Sequence, residues 1–141
     1  MGTVKITPQR ALAIADKYYS PEGFAHAVRV MEYTSGNPMI PQELKESCIV
    51  LAILHDLLED TPYQGEDLDV FIRNALCLLT RTPDMDYISY IHRIKQASEV
   101  SEVGKCAWWV KIADMKDHLA QRDTLTEKLR DKYLEALPHL L

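Results

Sequence analysis

The most constraining feature of the sequence is an apolar run, Cys48–Leu54, that lies within a stretch of helical character. A helix that is apolar on every side has no face for solvent, so other elements must surround it. We predict that this helix begins after Pro41, runs to about Glu59 and is the buried central helix of the fold.

Sequence signals on either side of this run predict further helices. Thr7-Pro8 and Ser20-Pro21 each place a capping side chain before a proline, which is favoured at the first position of a helix. Thr124 and Glu127 form a potential capping box for the last helix. The predicted helices cover about residues 8–18, 21–34, 42–59, 68–79, 86–96, 102–121 and 125–137. No segment has the pattern of a strand, so we predict an all-α bundle of about six to seven helices.

Size and charge restrict the class of protein. With 141 residues, 47% of them hydrophobic, the chain suffices for a single compact domain over residues 1–141. Its net charge of -5 argues against nucleic acid or an anionic membrane as a partner. The sequence has no run of roughly 18 apolar residues and no recognisable leader, so we expect a cytoplasmic protein.

The three cysteines do not suggest a cross-linked or zinc-binding framework. Cys48, Cys77 and Cys106 are widely spaced, and each has apolar neighbours in a helical segment. We predict three buried thiols rather than a disulfide framework or a zinc knuckle.

Ionisable residues at the end of the central helix are the first indication of chemistry. His55 and Asp56 are followed within one turn by Glu59 and Asp60. Carboxylates this close repel one another unless a cation lies among them. Imidazole and carboxylate groups are good ligands for a divalent transition metal, so the segment predicts part of a metal site.

Two further residues are candidates for the remaining ligands. His26 and Asp114 are polar residues in otherwise apolar helical stretches. Taken singly, His26 is more typical of a satisfied core histidine, and Asp114 of a surface acid or a cap. Their occurrence in order with His55-Asp56 favours a shared metal site.

This order of residues resembles the HD superfamily of metal-dependent phosphohydrolases. The segments 54–61 and 110–114 are similar to those of its RelA/SpoT-type branch, which hydrolyses ppGpp and pppGpp to GDP or GTP plus pyrophosphate, usually with manganese. The resemblance implies an HD-type helical bundle whose metal ligands are His26, His55, Asp56 and Asp114. It also implies that Glu59 and Asp60 position and deprotonate the attacking water.

The expected cofactor is one divalent ion, with manganese first and iron, cobalt, nickel, zinc or magnesium as alternatives. A single ion is expected because di-metal members of the superfamily use extra histidines that have no counterpart near Asp56.

Two departures from the alarmone hydrolases concern the substrate. Their longer segment before the first histidine carries an Arg-Lys pair that contacts guanine, whereas residues 17–25 here are short and lack that pair. Their usual Asn, four residues after the last Asp, is replaced by His118. His118 has three possible roles: binding phosphate, donating a proton or adding a metal contact. Lys111 either reaches a phosphate or balances the local carboxylates.

Four residues further along form a possible nucleotide wall: Arg81, Tyr87, Tyr90 and Arg93. Tyrosine can stack on a base and arginine can pair with phosphate, but a tyrosine pair three residues apart is also typical of core packing.

The leading expectation is hydrolysis of a phosphoester or pyrophosphate bond in a small nucleotide, best represented by a (p)ppGpp-like compound. The alternatives are a nucleotidase or other phosphomonoesterase on the same site, and a non-catalytic sensor of metal and nucleotide. Glu59 and Asp60 argue against the sensor.

Overall fold

A computed structural model describes residues 5–121 and 124–141, and these residues form an all-helical structure without strands. The elements in chain order are α1 (Pro8–Tyr18), α2 (Pro21–Ser35), α3 (Gln42–Leu54), α4 (Leu57–Asp60), α5 (Val70–Leu79), α6 (Tyr87–Ser98), α7 (Glu102–Ala120) and α8 (Glu127–Leu140). Apart from the single turn of α4, seven helices make up the described structure, and the predicted all-α bundle is confirmed. None of the helices in the described ranges is long and apolar enough to cross a bilayer.

Helix α3 is the centre of the bundle, as the apolar run predicted. Residues 50–54 are at most 1% exposed, and the helix packs against α1, α2, α5 and α7. It ends at Leu54, so the prediction that it continues to Glu59 is wrong. The His55 ring bonds the Ala52 carbonyl through Nδ1 at 2.7 Å, and a continuing helix would pair that carbonyl with the Asp56 amide. This break separates α4 from α3 and presents His55 and Asp56 side by side.

Helix α7 is the second long structural element and contacts α2, α3, α5, α6 and α8. Its packing against α6 is close at Gly104, where an added Cβ would lie 2.0 Å from the Ala97 carbonyl oxygen. Only glycine permits this approach of the two backbones. The position of α7 against both α2 and α3 is what carries Asp114 to His26 and His55.

The start of the last helix differs from the prediction. The N-cap of α8 is Thr126, whose side chain accepts a hydrogen bond from the Leu129 amide at 3.1 Å. The predicted capping box of Thr124 and Glu127 is therefore wrong, because Glu127 is already the first helical residue. Thr124 lies before the cap and donates its hydroxyl to the Gln121 carbonyl instead.

The cysteines are buried at two of the three positions. Cys48 on α3 and Cys106 on α7 are fully buried, and their sulfur atoms lie 3.0 Å apart where the two helices pack. Cys77 is exposed, so the prediction of a third buried thiol is wrong. Its neighbours Ala75, Leu76 and Leu79 provide the buried face of α5, and Cys77 lies on the opposite face.

Candidate metal centre

The four predicted metal ligands come together from three parts of the chain. His26 lies on α2, His55 and Asp56 lie directly after α3, and Asp114 lies on α7. One ligand atom from each falls within 4.8 Å of the others, so the group could hold a metal ion. Asp114 Oδ1 is the meeting point, at 2.8 Å from His26 Nε2 and 3.1 Å from His55 Nε2.

Hydrogen bonds on the far side of both imidazole rings fix how the rings face the cluster. His26 Nδ1 lies 2.6 Å from Asp117 Oδ2, and His55 Nδ1 lies 2.7 Å from the Ala52 carbonyl oxygen. A carboxylate and a carbonyl only accept, so each Nδ1 carries the hydrogen and each neutral ring has its lone pair on Nε2. The two Nε2 atoms are 3.1 Å apart. Lone pairs at this distance require a proton or a cation between them.

Burial increases the effect of these charges. His55 and Asp114 are each only 3% exposed. Burial disfavours a charged imidazole, but the Asp56 and Asp114 carboxylates outweigh it and raise the pKa of His55 well above its usual range. Burial also opposes ionisation of Asp114, yet Lys111 and His55 hold the pKa of that carboxyl well below its usual range. The cluster therefore favours positive charge at its centre, which a divalent cation supplies by replacing protons.

Asp117 is a site residue that the sequence reasoning missed. It is fully buried and accepts hydrogen bonds from His26 Nδ1 and from Arg29 Nε, the latter at 2.8 Å. A carboxylate behind a ligand histidine fixes the tautomer and increases the basicity of the ring. One signal was available, because Arg29 follows His26 by three residues just as Asp117 follows Asp114, and residues three apart share a helix face.

A cavity of about 210 Å³ opens beside the cluster. Asp56 and Asp114 contribute to its wall together with residues from the loop before α6 and from α4, α6, α7 and α8. A larger cavity of about 450 Å³, between Lys5, Glu43 and Phe71, has no comparable cluster of ligand side chains among the described residues. The smaller cavity is therefore the candidate site, because it adjoins the cluster of His and Asp side chains.

Glu59 and Asp60, the predicted water-activating pair, are exposed residues of α4 that line this cavity. Partial burial and the carboxylates of Asp56 and Asp60 raise the pKa of Glu59. Partial burial and Asp56 likewise raise the pKa of Asp60. A carboxylate with a raised pKa is a stronger base, which suits the predicted role, although the role itself stays a prediction.

Two residues of α7 that were predicted to contact the substrate lie against the candidate metal ligands. Lys111 Nζ is 2.8 Å from Asp114 Oδ2, which is the charge-balancing arrangement considered from the sequence, and the side chain also lines the cavity. His118 Nε2 is 3.1 Å from Asp114 Oδ1. Its ring stacks on Tyr133, with centroids 5.1 Å apart and planes inclined by 12°. His118 thus faces the cavity, and its three possible roles remain open.

Only some of the residues predicted to form a nucleotide wall line the cavity. Arg81 and Tyr87 line the cavity, with the Arg81 guanidinium carbon 5.6 Å from the Tyr87 ring centroid. Tyr90 also borders it but is 3% exposed and donates its hydroxyl to the Leu79 carbonyl, as expected for core packing. The prediction for Arg93 is wrong, because its guanidinium bonds the Cys77 and Leu78 carbonyls at the end of α5. Lys132 on α8 lines the cavity and was missed, since an isolated lysine in a charged helix has no distinguishing pattern.

Comparison with known proteins adds no family assignment to this geometry. No protein-family model matches the chain, and no curated protein is significantly similar to it.

Proposed function

We propose that this protein is a metal-dependent phosphohydrolase of the HD type that acts on a small phosphorylated nucleotide in the cytoplasm. One observation carries the proposal: the Nε2 atoms of His26 and His55 lie 3.1 Å apart, and both lie beside the Asp114 carboxylate. Hydrogen bonds at the two Nδ1 atoms fix the tautomer of each ring, so that both Nε2 lone pairs face this point. Manganese is the first candidate for the ion, because imidazole and carboxylate ligands suit a divalent transition metal.

The proposed mechanism assigns a distinct task to each side of the cavity. A divalent ion held by the four ligands would lower the pKa of a water molecule and reduce the charge on the phosphoryl group. Glu59 accepts the proton of the attacking water, and Asp60 helps to position that water, since both carboxylates line the cavity beside Asp56. Lys111 and His118 face the phosphoryl oxygens from α7.

The first candidate for the substrate is a (p)ppGpp-like nucleotide that loses pyrophosphate. The lack of an Arg-Lys pair in residues 17–25 supports an alternative on the same site, a nucleotidase or other phosphomonoesterase, because that pair contacts guanine in the alarmone hydrolases that the sequence resembles. A sensor that binds metal and nucleotide without turnover is the third alternative, and it gives no role to Glu59 and Asp60, which line the cavity beside the proposed ligands.

The test is product analysis on the purified protein with added Mn²⁺ and a nucleotide panel. The panel contains nucleoside monophosphates, diphosphates, triphosphates and 3'-diphosphorylated guanine nucleotides, and phosphate and pyrophosphate are measured separately. Pyrophosphate release supports the first candidate, phosphate release supports the phosphomonoesterase, and saturable nucleotide binding without product supports the sensor.

Metal content provides the companion measurement. Elemental analysis is expected to give one ion per chain in the wild type and in Asp131→Ala, which removes an exposed carboxylate on α8. Asp56→Ala removes a proposed ligand and is expected to lose both metal and activity. Unchanged metal content in Asp56→Ala would contradict the proposed site.

A further inference from the structure

Tyr87 lies at the centre of a cluster of positive charge in the wall of the cavity. Lys132 Nζ is 4.3 Å from its ring centroid, the Arg81 guanidinium carbon is 5.6 Å away and Lys111 Nζ is 5.7 Å away. These cations come from three different parts of the chain, α8, the loop before α6, and α7. Their convergence on one ring is therefore a product of the tertiary fold rather than of local sequence.

The three cations differ in whether a carboxylate neutralises them. Lys111 forms an ion pair with Asp114, and Asp114 also faces the histidines of the metal centre. Arg81 and Lys132 form no ion pair with any residue in ranges 5–121 and 124–141. Partial burial and the nearby charges of Arg81 and Lys111 lower the pKa of Lys132 and outweigh the opposing charges of Glu59 and Asp114.

An unused hydrogen-bond donor lies at the same place. The Tyr87 hydroxyl is buried and donates to no acceptor among the described side chains and backbone; its polar neighbour is the Lys111 ammonium, which itself only donates. A buried hydroxyl that donates to no acceptor destabilises the fold, so native proteins seldom keep one without a use. A phosphate group would accept a hydrogen bond from this hydroxyl and pair with both free cations.

We propose that Arg81, Lys132 and the Tyr87 hydroxyl form a second anion subsite, which binds a phosphate group other than the one at the metal centre. The inference rests on the proposed function and narrows its substrate to small molecules that carry at least two phosphate groups. A single phosphate at the metal centre leaves Arg81 and Lys132 without a paired counter-charge, because Glu59, an acid whose charge acts on both, forms an ion pair with neither in the described structure. A second phosphate supplies that counter-charge.

The test compares two non-hydrolysable probes, methylenediphosphonate and methylphosphonate, by titration calorimetry on the full chain with Mn²⁺. The wild type is expected to bind the diphosphonate at least about tenfold more tightly, because each charge-assisted contact contributes roughly a tenfold gain in affinity. Arg81→Gln and Lys132→Gln are each expected to lose about tenfold for the diphosphonate and to keep wild-type affinity for methylphosphonate. Tyr87→Phe is expected to lose less, since only a neutral donor is removed.

Lys128→Gln is the matched control, because it makes the same charge change at an exposed position of α8 that does not line the cavity. Equal wild-type affinity for the two probes, or an equal loss in Lys128→Gln and Lys132→Gln, would overturn the proposal. Lys128 lies on the exposed side of α8 and Lys132 lies at the cavity wall. Circular dichroism establishes that each variant is folded before titration.

Titration of methylenediphosphonate in EDTA separates this proposal from the proposed function. A protein that takes up no metal and hydrolyses nothing would refute the proposed function. In that event, binding that still depends on Arg81 and Lys132 but not on Lys128 supports the anion subsite, and binding that is absent or independent of them overturns it.

Discussion

The carboxylate behind His26 provides a sharp test of the metal centre. Asp117 accepts hydrogen bonds from two donors, His26 Nδ1 at 2.6 Å and Arg29 Nε at 2.8 Å. Asp117→Asn keeps the shape of the side chain but has only one acceptor oxygen. If that oxygen stays with Arg29, the amide NH₂ faces His26 and favours the tautomer with its hydrogen on Nε2. That hydrogen would lie where the metal must bind.

The expected effect follows from this change of tautomer. Loss of a partner behind a ligand histidine typically lowers metal affinity by about 10- to 100-fold. This corresponds to about 1.4–2.7 kcal/mol of binding free energy. Because Asp117 is fully buried, the mismatched donor is also expected to cost roughly 1–3 kcal/mol of folding stability. The two effects are separable, since one appears in metal binding by folded protein and the other in the unfolding of metal-free protein.

The assay is competition for Mn²⁺ against a fluorescent chelator, carried out well below the melting temperature of the variant. Asp131→Asn is the control, because it makes the same substitution at an exposed site on α8. Wild-type Mn²⁺ affinity in folded Asp117→Asn would refute the reasoning that Asp117 orients His26 for a metal. A loss of stability alone would assign Asp117 a structural role.

Three further predictions concern the reaction and its pH dependence. Glu59→Gln is expected to keep its metal by elemental analysis but to lose about 10²- to 10⁴-fold in turnover, and near-normal turnover would show that the base is elsewhere. His118→Asn is expected to shift substrate preference in the nucleotide panel about tenfold without loss of metal; loss of metal would make His118 a ligand. Burial opposes the charging of His55, but Asp56 and Asp114 raise its pKa well above its usual value, so its protonated form stabilises the metal-free fold. That contribution is complete below about pH 6.5 and is lost as pH rises through the folded-state pKa. Thermal melts in EDTA should therefore show falling stability above this pH, and Mn²⁺ should abolish the decline.

The helices and the four candidate metal ligands were accessible from sequence because their signals are local. Capping residues before Pro8 and Pro21 begin two helices at the predicted residues. The apolar run of α3 predicted that this helix is buried at the centre of the fold, and its residues are buried there. His26 and Asp114 stood out because each interrupts an apolar stretch, and the structure places both at the end of α3 with His55.

The features that were missed depend on contacts between distant segments or on competition for one group. Helix α3 ends early because the His55 ring takes the Ala52 carbonyl, and helical periodicity contains no information about that competition. Asp117 resembles an ordinary helix acid until α7 packs on α2 and pairs it with His26 and Arg29. Lys132 acquires its significance only when α8 brings it to Tyr87.

The charges around the cavity connect the metal centre to the anion subsite. The carboxylates of Asp56 and Asp114 meet two imidazole nitrogens and favour positive charge, which protons or a metal ion supply, while Arg81 and Lys132 on the other wall form no ion pair in the described structure. Lys111 pairs with Asp114, but Arg81 and Lys132 form no ion pair with these carboxylates in the described structure, so the two walls do not fully neutralise each other. A divalent ion alone would satisfy the first wall and increase the positive charge facing the second. A metal ion and a substrate with several phosphates satisfy both walls at once, so each is expected to bind more tightly when the other is present.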